Sequence, residues 1–429
     1  MEKLTVILLT LLLPAGPLSA ETLLLRGATV HTVTKGILTP GDVLVRDGRI
    51  AAVAANIGEA ADRTIDLTGL HLFPGLVSAA TDLGLVEISS VRASVDVRET
   101  GEFTPEVESW TAVNPDSELI PVSRANGITH FVPVPSGSLI SGSSGLLAAQ
   151  GWTIEDMTIR RRTAMHLFWP NHALNIPGPD AGPKAKSLED QARERQEKVR
   201  TIDQYFMDAA AWEKRPAGSP VVPAWEAMLP VIRGELPLMI HAQDIREIRA
   251  ALKWSASHPR LKIVIDGGRD AWMLAGELAQ RKIPVIYSEV FTLPGQGSDA
   301  YDVQFRAPAV LEKAGVSVAI SEGLGRFSAS SQRNLPYSAA QAAAFGFSKE
   351  AALASITLVP AQMHGAGDLL GSIEPGKEAS LFAATGDILD IRSEVKQLWI
   401  AGIAQSLSSR HTRLADRYRS RPAKAAPPK

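Results

Sequence analysis

The chain has 429 residues, no Cys, and 44 Lys and Arg against 46 Asp and Glu, which gives a net charge of −2. At roughly 100–200 residues per domain, this length allows one large domain or a few smaller ones, and a hydrophobic fraction of 45% excludes disorder for most of the chain. The near-neutral charge argues against a nucleic-acid partner, and the absence of Cys excludes disulfides, thiolate metal sites and a lipid-modified cysteine anchor.

The first 20 residues have the order typical of a secretory signal peptide. Lys3 supplies positive charge, an apolar run extends from Leu4 to Leu13, and Pro14 and small residues lead to Ala20. The apolar run is too short to span a bilayer, and a buried N-terminal helix would not explain this order. We therefore expect residues 1–20 to be a signal peptide cleaved near Ala20. The product would be an exported protein, periplasmic or secreted, with no membrane anchor.

Both ends of the mature chain predict short strands. Residues 21–73 contain four short apolar or alternating segments, and Asp47-Gly48 is a tight-hairpin signal between two of them. These strands are too few to bury both faces of a sheet alone, and Lys396–Ile400 indicates a further strand near the C-terminus. We therefore expect residues 21–73 and 370–412 to form one small β-sandwich domain, followed by a flexible tail at 413–429.

Residues 74–369 predict an α/β barrel. Apolar strands beginning at Pro237, Leu261, Pro284 and Val316 alternate with segments of helical periodicity, which is the spacing of βα units in a parallel sheet. Eight such units fit in this part of the chain, and no Gly-rich phosphate loop follows any strand. The sequence therefore favours a (β/α)₈ TIM-type barrel over an open doubly wound sheet.

Chemistry in such a barrel lies at the carboxyl ends of the strands. His241 ends a predicted strand, where an imidazole suits a metal ligand or a general base, although a hydrogen-bonded structural histidine is as reasonable at this stage. Carboxylates in comparable places, such as Asp82, Asp266, Glu289 and Glu322, would more often be helix N-caps or solvated loop groups. Together with His241 they would line one acidic mouth.

The usual metalloenzyme and hydrolase motifs are missing from the sequence. It contains no H-x-H, no H-E-x-x-H and no G-x-S-x-G. The other histidines are scattered, whereas a catalytic zinc site usually needs three protein ligands.

Three ordered motifs nevertheless resemble the amidohydrolase superfamily, most closely its secreted imidazolonepropionase-like members. Gly41–Ile50 resembles the opening strand pair, and Pro74–Leu85 resembles the first-strand Pro-Gly-Leu-Ile-Asp segment that leads into His-x-His. Ile356–Ala361 and Gly371–Ala379 resemble the Thr-x-Asn-Pro-Ala and Gly-Ser-Ile-x-x-Gly-Lys-x-Ala-Asp segments. The resemblance covers residues 23–403 and implies a metal-dependent hydrolase of amide or cyclic-amide C–N bonds.

Carried over residue by residue, the resemblance implies that most of the metal ligands are replaced. Ala80 and Asp82 stand where the family has its two first-strand histidines, and only His241 matches in kind. Gly267 and Gly323 fall where the sixth-strand histidine and the eighth-strand aspartate belong, and the fourth-strand ligand has no evident counterpart.

Two functions remain open from the sequence. One is a C–N hydrolase that works with an unusual set, His241, Asp82 and Glu322, either around one weakly bound zinc-like divalent ion or without metal. The other is a catalytically inactive barrel, a pseudoenzyme, that binds a small amide, a peptide-like ligand or a partner. A transporter-type α/β binding protein is disfavoured by the C-terminal motifs, and the sequence does not give the oligomeric state.

Overall fold

The computed structural model describes residues 22–137, 139–173, 175–176, 186–325 and 327–421. The predicted signal peptide, residues 1–20, lies outside the described residues. The strands are β1 Thr22–His31, β2 Ile37–Arg46, β3 Arg49–Ala54, β4 Arg63–Asp66, β5 His71–Pro74, β6 Leu76–Thr81, β7 Ile128–Pro133, β8 Ile140–Ala148, β9 Thr158–Phe168, β10 Leu238–Ala242, β11 Ile263–Gly267, β12 Val285–Tyr287, β13 Val318–Ile320, β14 Leu381–Ala384, β15 Val395–Ile400 and β16 Ile403–Ala404. The α-helices are α1 Leu119–Arg124, α2 Ile154–Met157, α3 Leu188–Glu213, α4 Pro223–Ile232, α5 Ile245–Ser255, α6 Ala275–Gln280, α7 Val303–Lys313, α8 Ser328–Ser331, α9 Leu335–Ala344, α10 Lys349–Ser355, α11 Leu358–Met363 and α12 Arg410–Arg419.

Strands from both ends of the chain lie in one sheet. Its order is β16-β15-β14-β5-β1-β2-β3, with β4 also paired to β1. The predicted hairpin at Asp47-Gly48 is confirmed, because both residues adopt the left-handed φ values of 50° and 72° that a two-residue turn requires. The early and late strands share a core that includes Val43, Leu72 and Trp399.

The barrel sheet contains strands β6 to β13 in sequence order, and the predicted strands at 237, 261, 284 and 316 are confirmed as β10 to β13. These four strands pair in parallel with one another. The sheet is nearly closed, since the Ser321 hydroxyl just after β13 donates to the Ala80 carbonyl of β6 at 2.7 Å.

One strand differs from the predicted all-parallel arrangement. β8 pairs antiparallel with both β7 and β9. The connection from Pro133 to Ile140 is short, and a parallel pairing needs a crossover of about a dozen residues or more. The fold is therefore a TIM-type α/β barrel in which β8 runs against its neighbours.

Alternation along the barrel strands separates an inner from an outer face. Met239, Val264 and Ile286 pack together inside the barrel, whereas Ile240 and Ile265 pack outward against the helices. Residues two positions further along each inner row therefore point into the carboxyl-end mouth.

The prediction of a flexible tail at residues 413–429 is wrong for the first part of that range. Residues Arg410–Arg419 form α12, whose N-terminus has a capping box between Ser409 and Thr412. Arg413 also pairs with Glu118 at 3.1 Å. Residues 422–429 lie outside the described part of the chain. None of the described helices combines the length and apolar character needed to cross a membrane.

Candidate active site

His241 lies on β10 and faces the inside of the barrel, in register with Phe168 on β9 and Asp266 on β11. The Phe168 ring stacks on the imidazole with centroids 3.9 Å apart and planes 5° apart. His241 Nε2 lies 2.9 Å from His166 Nδ1, and His241 Nδ1 lies 3.7 Å from Asp266 Oδ2. Both ring nitrogens of His241 therefore face protein groups.

A chain of buried polar side chains continues from His241 through the barrel. His166 Nε2 lies 2.8 Å from Ser144 Oγ, which lies 3.4 Å from Thr163 Oγ1. Thr163 Oγ1 in turn lies 3.1 Å from His364 Nδ1, and His364 Nε2 donates to the Ala79 carbonyl at 2.8 Å. Each member is a hydrogen-bond partner of the next, and buried polar groups need such partners because the interior has a low dielectric constant.

Burial keeps these histidines neutral. It lowers the pKa of His241 to about 3 and the pKa of His364 to about 4. The pKa of His166 is also well below its ordinary value, through burial and then the charges that His241 and His364 would carry. At neutral pH the chain is therefore uncharged and acts through hydrogen bonds.

Two carboxyls each keep one buried oxygen that has no hydrogen-bond partner among the described residues, namely Asp82 Oδ1 and Asp266 Oδ2. Burial raises the pKa of Asp266 to about 7, and the Glu289 charge adds to this. Burial raises the pKa of Asp82 to about 6, against hydrogen bonds from the Gly325 N–H at 2.7 Å and the Ser328 hydroxyl at 3.1 Å. Protonated carboxyls near neutral pH can act as general acids.

Glu322 lies apart from the His241 cluster. Its Oε1 accepts from the Ser338 hydroxyl on α9 at 2.5 Å, so this side chain points under a surrounding helix. Burial raises its pKa to about 7. Within the described chain, no hydrogen bond or ion pair joins either Asp82 or Glu322 to His241. The structure thus brings Asp266, rather than Asp82 or Glu322, next to the histidine.

Gly267 does not face the mouth. It pairs with Ala242, which belongs to the outer core, and a Cβ built there would lie 2.3 Å from Gln243 Nε2 at a φ of +92°. The mouth-facing residue of β11 is its neighbour Asp266. Among the described residues, no group of three or more His, Asp or Glu side chains is placed to hold a metal ion.

His166 and Phe168 are the site residues that sequence reasoning missed. The signal was present in Ala164-Met-His-Leu-Phe168, where alternate positions share one face of a strand. β9 lies next to β10 in the sheet, so Phe168 lies beside His241 at the mouth and His166 lies one inner position below it, on the strand where the resemblance indicates no ligand.

Comparisons with known proteins agree with this barrel. The model of the Amidohydrolase family matches residues 296–406. The amidohydrolase tasK of Hapsidospora irregularis is 23% identical over 401 residues, 85% of this chain, and the chain spans 40% of the length of that relative.

Solved structures show the same architecture. The crystal structure of an amidohydrolase from Thermotoga maritima is 25% identical, with a TM-score of 0.78 over 89% of this chain and 99% of that chain. An adenosine deaminase from Xanthomonas campestris with bound zinc is 17% identical, with a TM-score of 0.53 over 92% of this chain and 97% of that chain, a likeness of fold alone. Over most of its length the chain is therefore similar in sequence and in fold to members of the amidohydrolase superfamily.

Proposed function

We propose that this chain keeps the barrel of the C–N hydrolases with a replaced metal centre. In this proposal the mouth binds a small amide or peptide-like molecule without metal-dependent turnover. The observation that carries the proposal is the environment of His241. Phe168 covers its ring face, and His166 engages its Nε2.

The donor set does not fit the binuclear metal centre that the family implies. Such a centre supplies hydroxide by lowering the pKa of bound water from about 16 to about 7. Here Ala80 has no donor atom, the side chain of Phe168 is a hydrocarbon, and His241 Nε2 is already in a hydrogen bond. Metal affinity depends on the number and geometry of ligands, so these residues support at most one weak ion.

A second candidate function is hydrolysis of an amide by acid–base chemistry without metal. One observation favours it, namely that a carboxyl whose pKa is raised to about 7, Asp266, lies 3.7 Å from the neutral imidazole of His241. In such a step the imidazole takes a proton from water as the water oxygen bonds to the amide carbon, and the carboxyl gives its proton to the leaving nitrogen as the C–N bond breaks.

The first test is metal analysis of the mature protein purified without chelator and then dialysed. We expect no stoichiometric binuclear site and at most one exchangeable ion per chain, because the mouth offers too few free donors. Atomic emission measures zinc, manganese and iron directly. Two tightly held ions per chain would contradict the proposal and restore the metallohydrolase interpretation.

A screen of small amides with and without added zinc separates the two candidates. Ligand binding without turnover supports the binding function. Turnover that is independent of zinc and is abolished in His241→Ala supports acid–base hydrolysis. Glu235→Gln changes an exposed carboxylate outside the mouth and is the matched control, expected to leave turnover unchanged.

We also propose that the protein is exported. Support comes from the charge, apolar run and small residues that follow in order before Glu21. Mass spectrometry of the protein recovered outside the cytoplasm is expected to give a chain that begins at Glu21. A recovered chain that retains Leu4–Leu13 would refute cleavage.

A further inference from the structure

A cavity of about 870 Å³ lies at the end of the barrel opposite the mouth. Pro237, Ile263 and Pro284, which line it, stand at the amino ends of three adjacent strands, β10, β11 and β12. We call this space the basal cavity. Its volume is in the range of small-molecule sites, about 300–1,000 Å³.

The wall of the basal cavity is largely apolar and its rim is positive. Apolar side chains from the strand ends and Met363 from α11 form the wall, whereas Lys262, Arg281 and Lys282 line the rim. Arg281 is held in place, donating to the Leu252 carbonyl at 2.7 Å and to the Ser255 hydroxyl at 2.8 Å.

One acidic residue, Glu277, also lines the basal cavity and offsets part of the positive charge of its rim. Glu277 lies 3.6 Å from Arg281. Within the described residues, no carboxylate lies within 4.0 Å of the ammonium group of Lys262 or Lys282. An apolar space with unpaired cations at its edge is complementary to a molecule with an apolar body and an anionic end.

The backbone at Lys282 gives a second, independent indication. Three helices that precede barrel strands, α4, α6 and α7, end in the same type of turn, in which one residue adopts a left-handed φ. That residue is Gly234 at 71° after α4, Gly315 at 88° after α7, and Lys282 at 54° after α6. Glycine adopts this conformation without cost and lysine does not. The fold therefore tolerates a strained lysine at the rim where it elsewhere uses glycine, and such strain is concentrated at functional positions.

We propose that the basal cavity binds a small amphipathic carboxylate, whose apolar body packs on the wall and whose carboxylate is held by Lys262, Arg281 and Lys282. This site is separate from the mouth and does not depend on the function proposed for the mouth.

Decanoate is the probe, measured by titration calorimetry on the full mature chain. We expect a dissociation constant on the order of a few millimolar, given about 0.3 kcal/mol for each of its roughly twelve non-hydrogen atoms. 1-Decanol, which lacks the charge, and inorganic phosphate, which lacks the apolar body, are expected to bind at least about tenfold more weakly. Equal binding of decanoate and 1-decanol would overturn the role of the cations.

Lys282→Gly provides a variant that does not put folding at risk. Glycine relieves the left-handed strain, so the thermal midpoint should not fall, while decanoate affinity should fall about threefold to fivefold. Adding Lys262→Gln should bring the loss to about tenfold or more. Lys253→Gln, which removes an exposed lysine of α5 outside the cavity lining, is the matched control and should change nothing.

Ala256→Trp locates the site. Ala256 lines the basal cavity at the exposed end of α5, and a Trp there would place an indole ring in the cavity while the fold is kept. We expect this variant to lose decanoate binding. Unchanged affinity in Ala256→Trp or in the double lysine variant, or no decanoate binding at millimolar concentration, would overturn the proposal.

Discussion

Deleting residues 370–429 is expected to unfold the strands at the beginning of the chain as well as to remove those at its end. β14 pairs with β5 at four positions, from Leu381↔Pro74 to Ala384↔His71. The deletion also removes Leu381 and Trp399 from a core they share with Leu25 and Leu72. Loss of one large core side chain costs about 3–5 kcal/mol, so losing several exceeds the 5–15 kcal/mol that stabilises a typical domain.

Hydrogen exchange read by mass spectrometry measures this effect by region. Peptides from residues 22–74 should lose protection in the truncated chain, whereas peptides from β10 to β12 should keep more of theirs. Deletion of residues 410–429 is the control, since it removes α12 and its surface pair Arg413–Glu118 but no strand of the sheet. Protection of residues 22–74 that is the same in both truncated chains would show that the two ends fold independently.

Much of the fold could be predicted because most barrel strands consist of short apolar runs. β10 to β13 each bury both faces, so their sequences are nearly continuous in Val, Ile, Leu and Met. β8 lacks that signal. Its sequence, Ile140–Ala148, is rich in Ser and Gly, and its direction is set by the short connection from β7, which periodicity does not register.

The site was harder to predict because successive side chains along a strand point to opposite faces of the sheet. Assigning the sixth-strand ligand to Gly267 missed the mouth-facing Asp266 by one residue, and a shift of one residue in a strand moves a side chain to the opposite side of the sheet. The position of His241 at the mouth could be predicted because it lies at the end of an obvious strand. The contact with His166 joins residues 75 positions apart, and such a pairing depends on the order of strands in the sheet.

Burial shifts the pKa values of two neighbouring mouth groups, His241 and Asp266, in opposite directions. Buried His241 has its pKa lowered from 6.5 to about 3, so the stability that depends on its neutral form is present above pH 6.5 and is lost as the pH falls toward 3. Buried Asp266 has its pKa raised from 3.8 to about 7. The folded state favours the protonated form of this carboxyl. The contribution of Asp266 to protein stability is therefore complete below pH 3.8 and is lost as the pH rises to about 7.

Asp266→Asn should therefore stabilise the protein at alkaline pH. Asparagine keeps the shape and can accept the Gly267 N–H bond that Asp266 now accepts, but it has no charge to bury. A shift from 3.8 to about 7 corresponds to an effect on the order of 4 kcal/mol above pH 7, which vanishes near pH 4.

Urea unfolding at pH 5 and pH 8 measures the difference. We expect the midpoint of Asp266→Asn to exceed that of the parent chain much more at pH 8 than at pH 5, and Glu235→Gln to change neither. The acid-side loss caused by the buried histidines stays in the variant, so its stability maximum moves to higher pH. A gain of the same size at both pH values would mean that Asp266 is already ionised at pH 5 and that its ionisation costs the fold nothing.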